Sequence, residues 1–297
     1  MITAPFSAIG SAVLYTLLWI AAVVMLSRAG AAFCDTSPPA ADKPATQQTI
    51  TLTVLFDNYP HDERLKTGWG FSCLITGLEK TILFDTGGNG AVLLSNMRTL
   101  GVEPGDIDVI VLSHDHHDHT GGLGTFLTEN NNVAVFVPVS FPEGFARQVR
   151  AGGATVVTVD KPCRICEGAH STGQLGTRIR EQGLCINTAN GLFVVTGCAH
   201  PGIVDMTEVA GTLSSSGVYG IMGGFHMKGF PEKKIGETIE RLKTMGVTVT
   251  APCHCSGDLT RQMMRQSFSG GYVNVGVGAK VQLVAGAQAE MRGDSRP

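Results

Sequence analysis

The sequence predicts an α/β (α+β) fold in which both halves of the chain alternate short apolar strands with helical segments. This pattern is compatible with a four-layer αβ/βα sandwich. Of the 297 residues, 43% are hydrophobic and 16% are charged, so the chain can bury a large core and general disorder is excluded. Glycine is abundant, at 38 residues, which indicates many tight loops.

The first half of the folded region shows apolar runs bounded by turn residues. It predicts strands at 50–56, 71–76, 81–84, 109–112, 133–137 and 154–159, with helices at 91–100 and near 145–150. Gly101 follows the first helix, where glycine commonly ends helices in the left-handed conformation.

The second half continues the same alternation. It predicts strands at 184–188, 192–196, 218–222 and 247–251, and helices at 203–213, 231–245 and 259–267. Ala189-Asn190-Gly191 is typical of a tight hairpin turn. Cys163-Arg164-Ile165-Cys166 is a lone C-x-x-C, which is weak support for zinc and fits a loop disulfide equally well.

The N-terminal region predicts export. Residues 8–26 are almost continuously apolar and uncharged, and a small-residue stretch follows, so residues 1–32 are predicted to be a signal peptide or a membrane anchor. Residues 33–49, rich in Pro, Ala and Thr, are predicted to be a flexible linker, and residues 50–297 the folded domain. The expected location is periplasmic or membrane-anchored, with a tether through residues 8–26, and it is cytoplasmic if residues 1–32 are not a signal.

The charge distribution limits the class of partner. The net charge is −3 and no long basic run occurs, which argues against a nucleic-acid partner. A small-molecule substrate is expected instead.

Four histidines and two aspartates fall within six residues directly after an apolar strand, in the segment His114-Asp115-His116-His117-Asp118-His119. Imidazole nitrogens and carboxylate oxygens suit Zn²⁺ and also Mn²⁺ or Fe²⁺. In a loop at a strand end, His114 and His116 can converge on one ion, and the next turn offers Asp118 and His119 to a second. Two divalent metal ions are therefore predicted, zinc first, with manganese or iron as alternatives.

Three later histidines occupy a shared kind of position. His200, His226 and His254 each follow an apolar strand within a few residues. Loops at strand ends are where α/β folds place their sites. Beside the histidine cluster, this placement favours a role as ligands over a structural one.

His114-x-His116-x-Asp118-His119 resembles the HxHxDH motif of the metallo-β-lactamase superfamily, and Phe84-Asp85-Thr86-Gly87 resembles its first motif. The resemblance covers essentially residues 50–297. Further segments resemble the branch usually named 7,8-dihydropterin-6-methyl-4-(β-D-ribofuranosyl)aminobenzene-5′-phosphate synthase. They are Trp69-Gly70-Phe71-Ser72, Leu112-Ser113-His114, Gly197-Cys198-Ala199-His200-Pro201-Gly202-Ile203, Gly223-Gly224-Phe225-His226 and His254-Cys255-Ser256-Gly257.

The resemblance implies a metallo-β-lactamase-type sandwich and a set of ligands. One ion is implied to bind His114, His116 and His200. The other is implied to bind Asp118, His119 and His254. Asp85 is implied to hydrogen-bond the ligands without binding metal.

Two residues keep alternative interpretations. Cys198 stands where the superfamily usually has an Asp that bridges the ions, so both a bridging thiolate and a small buried cysteine remain open. His226 is either a ligand or a proton donor or oxyanion stabiliser beside the ions. Gly223 and Gly224 are predicted to let the backbone approach a ligand closely.

The function predicted from these residues is hydrolysis of an ester or phosphoester by a metal-activated water. Asp118 would orient the nucleophile, and His226 would donate a proton to the leaving group. The resemblance implies an alternative, a transferase that joins a dihydropterin to an aminobenzene ribofuranosyl phosphate with release of pyrophosphate. A catalytically silent metal-binding sensor is the third alternative. The predicted export favours hydrolysis, because phosphorylated pterin precursors are cytoplasmic.

Overall fold

The computed structural model describes residues 48–286, and the strands in that range form two sheets. In chain order they are β1 (Thr49–Phe56), β2 (Ser72–Thr76), β3 (Ile82–Phe84), β4 (Val109–Val111), β5 (Ala134–Pro138), β6 (Thr155–Val159), β7 (Cys163–Cys166), β8 (Ala169–Ser171), β9 (Leu184–Thr188), β10 (Gly191–Thr196), β11 (Val218–Gly224), β12 (Val249–Cys253) and β13 (Lys280–Val284). The first sheet has the order β13-β1-β2-β3-β4-β5-β6 and the second the order β12-β11-β10-β9-β8-β7.

Each sheet is antiparallel on one side and parallel on the other. Neighbouring strands from β3 to β6 pair in parallel, as do those from β10 to β12. The α-helices of the described range are α1 (Gly90–Leu100), α2 (His117–Thr120), α3 (Leu123–Glu129), α4 (Glu143–Ala151), α5 (Ile203–Thr212), α6 (Glu232–Thr244) and α7 (Asp258–Phe268). Short 3-10 turns cover Pro104–Asp106, His254–Ser256 and Ser269–Gly271.

Three hydrophobic clusters separate four layers. The first fills the space between the two sheets. The second lies between the first sheet and α1, α3 and α4, and the third between the second sheet and α5, α6 and α7. The predicted four-layer αβ/βα sandwich is confirmed.

The central strands are apolar throughout because both of their faces are covered. In β3, Ile82 and Phe84 point into the cluster between the sheets, while Leu83 points to the helices. Val109 and Val111 of β4 likewise face the other sheet, and Ile110 faces the helices. The two-residue period of a strand therefore distributes one apolar run between two cores.

Local signals set several element ends. The Asn89 side chain accepts a hydrogen bond from the Val92 N–H at 3.1 Å and caps the start of α1. Gly101, with φ of 69°, ends the same helix in the left-handed conformation, which confirms its predicted role. Ala189 and Asn190 form the turn between the antiparallel strands β9 and β10.

The loop interpretation of the region around the C-x-x-C pair was wrong. Cys163–Cys166 is strand β7, and the next strand, β8, contains His170. Strand β7 pairs antiparallel with β8, and β8 pairs antiparallel with β9, so both strands depend on backbone pairing with their neighbours. The cysteines of the described range form no disulfide.

Within residues 48–286, no helix combines the length and apolarity needed to cross a bilayer. The predicted signal or anchor, and residues 33–47 of the predicted linker, lie outside the described residues.

Candidate metal centre

Loops from both sheets meet at one edge of the sandwich. They follow β3 and β4 in the first sheet and β10, β11 and β12 in the second, and all five strands belong to the parallel parts. Sites in α/β sheets lie at the carboxyl ends of parallel strands, where such loops converge. These loops carry Asp85, the segment 114–119, the segment 197–200, His226 and His254.

The converging loops form two groups of metal-ligating atoms. Atoms of His114, His116 and His200 lie within 4.8 Å of one another. A second group with the same spacing consists of Asp118, His119, Cys198 and His254. The structure therefore brings together the six implied ligands in the two implied sets.

Unpartnered nitrogen atoms indicate that these side chains fit a cation. The Nε2 atoms of His114, His200 and His254 are buried and have no hydrogen-bond partner. A buried polar atom without a partner costs about 1–3 kcal/mol. Divalent ions bound in the two groups would satisfy all three nitrogens, so the donor set fits the predicted metals.

Asp85 organises the first sheet's part of the site. Its Oδ1 accepts the Ser113 backbone N–H at 2.7 Å, and its Oδ2 accepts the Ser113 hydroxyl at 2.7 Å. The same Oδ2 lies 2.7 Å from Nδ1 of His119, which directs Nε2 of that ring towards Cys198 Sγ at 3.2 Å. A carboxylate that fixes an imidazole in this way is the usual outer partner of a metal-binding histidine.

Asn58 orients His254 in the same manner. Its Oδ1 lies 3.0 Å from Nδ1 of His254, so Nε2 of that ring faces Asp118 Oδ2 at 3.3 Å. The indole of Trp69, which is 50% exposed, packs against the same imidazole with ring centroids 4.8 Å apart.

Glu181 holds the loop that carries Cys198 and His200. This fully buried carboxylate accepts backbone N–H groups from Gly197, Cys198 and Ala199 on Oε1, and from His200 on Oε2, at 2.9–3.0 Å. Burial raises the pKa of Glu181, and the backbone hydrogen bonds oppose that shift. A single carboxylate thus fixes the position of two candidate ligands.

The protonation states of His114, His200 and Asp118 suit cation binding. Burial and neighbouring imidazoles lower the pKa of His114, and burial with His226 and His116 lowers that of His200 to about 3. For Asp118, burial opposes ionisation, but His254 and His119 outweigh it and hold the pKa below its usual range. Neutral imidazoles and an ionised carboxylate are the forms that bind divalent metals.

Cys198 and His226 lie beside both groups. Cys198 belongs to the second group and is also within 4.8 Å of His200 and His226. A cysteine between the two groups agrees with the bridging interpretation, while its burial also agrees with the structural one. His226 is exposed, and its ring lies 4.3 Å from that of His200, so it stands at the mouth of the site. Contact with Cys255 raises the pKa of His226.

Backbone strain concentrates at these strand ends. Asp85, Ala199, His226 and His254 have φ values of 56°, 57°, 49° and 48°, in the left-handed region that non-glycine residues rarely adopt. Each such residue costs about 1–3 kcal/mol, and such strain is typical of functional sites.

Gly223 and Gly224 lie against neighbouring loops of the protein, and their approach to a ligand stays a prediction. A Cβ at Gly223 would lie 2.0 Å from the carbonyl oxygen of Thr196, and a Cβ at Gly224 would lie 2.3 Å from that of Gly197. These glycines therefore let neighbouring loops of the protein approach each other. The remaining histidine-motif residues, Asp115 and His117, are exposed, as is His61.

The buried carboxyl of Asp57 interacts with His254, and its pKa predicts that the stability of the fold depends on pH. Burial raises its pKa from 3.8 to about 6. Between these values the unfolded chain releases its proton while the folded chain keeps it, so stability should fall as the pH rises from about 4 to about 6. The shift corresponds to about 3 kcal/mol.

We expect Asp57→Asn, which cannot ionise, to gain about 3 kcal/mol relative to wild type between pH 4 and pH 7. Urea unfolding of both metal-free proteins at the two pH values measures this difference. Parallel changes in the two proteins would contradict it.

Comparison with known proteins agrees with the geometry. The family model of the metallo-β-lactamase superfamily matches residues 70–199. The chain is 32% identical over 249 residues to the 7,8-dihydropterin-6-methyl-4-(β-D-ribofuranosyl)-aminobenzene-5′-phosphate synthase of Methanocaldococcus jannaschii, covering 67% of this chain and 84% of that protein. The chain belongs to the metallo-β-lactamase superfamily.

Solved structures show the same superfamily fold. Tm1679, described as a metal-dependent hydrolase of the β-lactamase superfamily, superposes with a TM-score of 0.67 at 23% identity, over 79% of this chain and 99% of that one. The metallo-β-lactamase fold protein YhfI from Bacillus subtilis gives a TM-score of 0.59 at 16% identity, over 79% and 99% of the two chains. At these identities the likeness concerns the fold alone.

The sequence did not identify the residues that hold the candidate metal ligands in position without being ligands themselves. Glu181 is one of several charged residues in the segment Arg178-Ile179-Arg180-Glu181, and nothing in that segment marks it as buried. Asn58 lies 196 residues from the histidine that it orients, and no sequence pattern connects the two. The Leu112-Ser113-His114 segment did point to Ser113, whose hydroxyl also lies 2.9 Å from Nδ1 of His114.

Proposed function

We propose that this protein is a binuclear metal-dependent hydrolase that cleaves an ester or phosphoester. The proposal rests on two adjacent groups of metal-ligating side chains. Cys198 lies beside both groups, and each group contains an Nε2 atom that has no hydrogen-bond partner. Two adjacent divalent cations are the arrangement that many phosphatases and nucleases use.

The first ion is assigned to His114, His116 and His200, and the second to Asp118, His119 and His254, with zinc preferred over manganese or iron. The mixed nitrogen, oxygen and sulfur donors favour zinc. When bound, such cations lower the pKa of a coordinated water and polarise a carbonyl or phosphoryl oxygen.

The chain's own residues supply orientation and proton transfer. Asp118, ionised and half-buried beside His254, is placed to accept a hydrogen bond from the attacking water and orient it. His226, exposed at the mouth next to His200, is placed to donate a proton to the leaving group. Asp85, Asn58 and Glu181 keep the ligands in position.

We expect the full-length protein loaded with zinc or manganese to hydrolyse at least one of a generic phosphodiester, thioester or lactone. Turnover should disappear with a chelator and return when metal is restored. Absence of turnover with every substrate by a protein that still binds metal would contradict hydrolysis and favour the silent sensor.

A transferase is the second candidate, because the identity of 32% extends over 84% of the Methanocaldococcus jannaschii synthase. Such an enzyme would release pyrophosphate from a dihydropterin diphosphate only when the aminobenzene ribofuranosyl phosphate is present. Pyrophosphate release that requires both substrates would replace the hydrolase proposal.

Export of the protein and a small-molecule substrate remain proposals. Fractionation of cells that express the full-length chain with a C-terminal tag tests the location. An intact N-terminus in the cytoplasm would contradict export and would strengthen the transferase.

A further inference from the structure

A cavity of about 650 Å³ opens beside the metal centre. Its lining includes His200, a candidate metal ligand, and His226, the proposed proton donor. Its walls include the apolar side chains of Leu175, Ile179 and Val209. A largely apolar cavity with a few polar or reactive groups in its wall is the usual form of a small-molecule site.

One cation, Arg178, lines this cavity together with the histidines. Arg178 belongs to the wall, and among residues 48–286 it makes no ion pair and no hydrogen bond. Its neighbour Arg180, also exposed, does not line the cavity. A guanidinium is a planar donor that binds carboxylate or phosphate groups through two hydrogen bonds.

The loop that presents Arg178 is closed at its base by Glu181. The backbone groups of Leu175 and Glu181 exchange two hydrogen bonds, of 2.8 and 3.0 Å, so residues 176–180 form a short closed loop. The carboxylate of the same Glu181 holds Cys198 and His200 through their backbone N–H groups. The loop that carries Arg178 and the loop that carries Cys198 and His200 are therefore fixed to one residue, which restricts movement of one relative to the other.

The other charged wall residue is Asp205. Asp205 lies in the first turn of α5, where the helix N-terminus stabilises a carboxylate. It forms no ion pair with Arg178 within the described part of the chain.

We propose that the cavity binds a substrate with an apolar body and a second anionic group, a carboxylate or phosphate, which Arg178 recognises while the scissile ester lies beside His200 and His226. The proposal rests on the proposed hydrolase function and specifies its substrate class. The charge of Arg178 would select substrates that carry the second anion, and the apolar wall would contact the body of the substrate.

Calorimetric titration of the metal-loaded full-length protein tests this without turnover. The probes are alkylphosphonates from butyl to octyl, each with and without a terminal carboxylate. At the best length, the carboxylated member should bind about tenfold more tightly, which equals about 1.4 kcal/mol. Arg178→Ala should abolish this preference, and the matched control Arg180→Ala should retain it. Asp205→Asn should keep the preference or increase it.

Equal affinities for the paired probes at every length, or a preference that survives Arg178→Ala, would overturn the substrate assignment. Ester hydrolysis by a protein without the preference would leave the proposed function standing and refute only the substrate class. An Arg178-dependent preference in a protein that hydrolyses no ester would support the anion site and refute hydrolysis.

Discussion

His116→Ala should lose most of its bound metal and, with it, turnover. His116 shares one donor group with His114 and His200, so its removal leaves that group with two imidazoles. Losing only an outer hydrogen-bond partner of a metal ligand costs about 10–100-fold in affinity, and losing the ligand itself should cost at least as much. The half-buried position of His116 makes the fold tolerant of the change.

His117→Ala is the matched control, because His117 is exposed and next in sequence. It should retain the wild-type metal content. Elemental analysis of both purified variants, with thermal unfolding to show that each is folded, measures the effect. Two ions per chain in His116→Ala would refute the ligand assignment.

Replacing Glu181 should have the largest effect on stability. Alanine would leave three buried backbone N–H groups, from Gly197 to Ala199, and the half-buried N–H of His200 without their acceptor. At about 1–3 kcal/mol for each unsatisfied group, the sum approaches the whole stability of a typical domain. We expect Glu181→Ala to be unfolded or nearly so.

Glu181→Gln keeps this prediction measurable in a folded protein. The glutamine oxygen can still accept on the Oε1 side, but its amide nitrogen would face the His200 N–H, where Oε2 now accepts. Loss of that charge-assisted hydrogen bond costs about 1.5–3 kcal/mol, or a decrease in Tm of about 5–10 °C. The displaced His200 should also weaken metal binding.

Glu208→Gln, on the exposed face of α5 where it pairs with Arg241, is the control and should change neither property. A Tm and metal content equal to wild type in Glu181→Gln would show that the carboxylate does not position the loop.

The parts of the site that depend on short sequence patterns could be predicted. Four of the six implied ligands lie within the segment 114–119. His200 and His254 follow strands that could be predicted because each strand is a short apolar run. The alternation of apolar strands and helices indicated the two-sheet architecture. Both faces of the central strands are covered, so these strands are apolar throughout and can be recognised in the sequence.

Long-range partners could not be predicted. Glu181 acts on a loop 16–19 residues away, and Asn58 acts on a histidine 196 residues away, and neither contact leaves a periodic pattern. Strands β7 and β8 likewise owe their structure to pairing and not to strong strand-forming residues. The role of Gly223 and Gly224 became visible only when the loop beneath them was placed.

Anomalous X-ray diffraction from crystals of the metal-loaded protein tests the central claim, the binuclear centre, most directly. The ligand sets predict two peaks, one among His114, His116 and His200 and one among Asp118, His119 and His254, with Cys198 Sγ next to both. Crystals of protein that contain metal by elemental analysis but show no peak at these side chains would contradict the account.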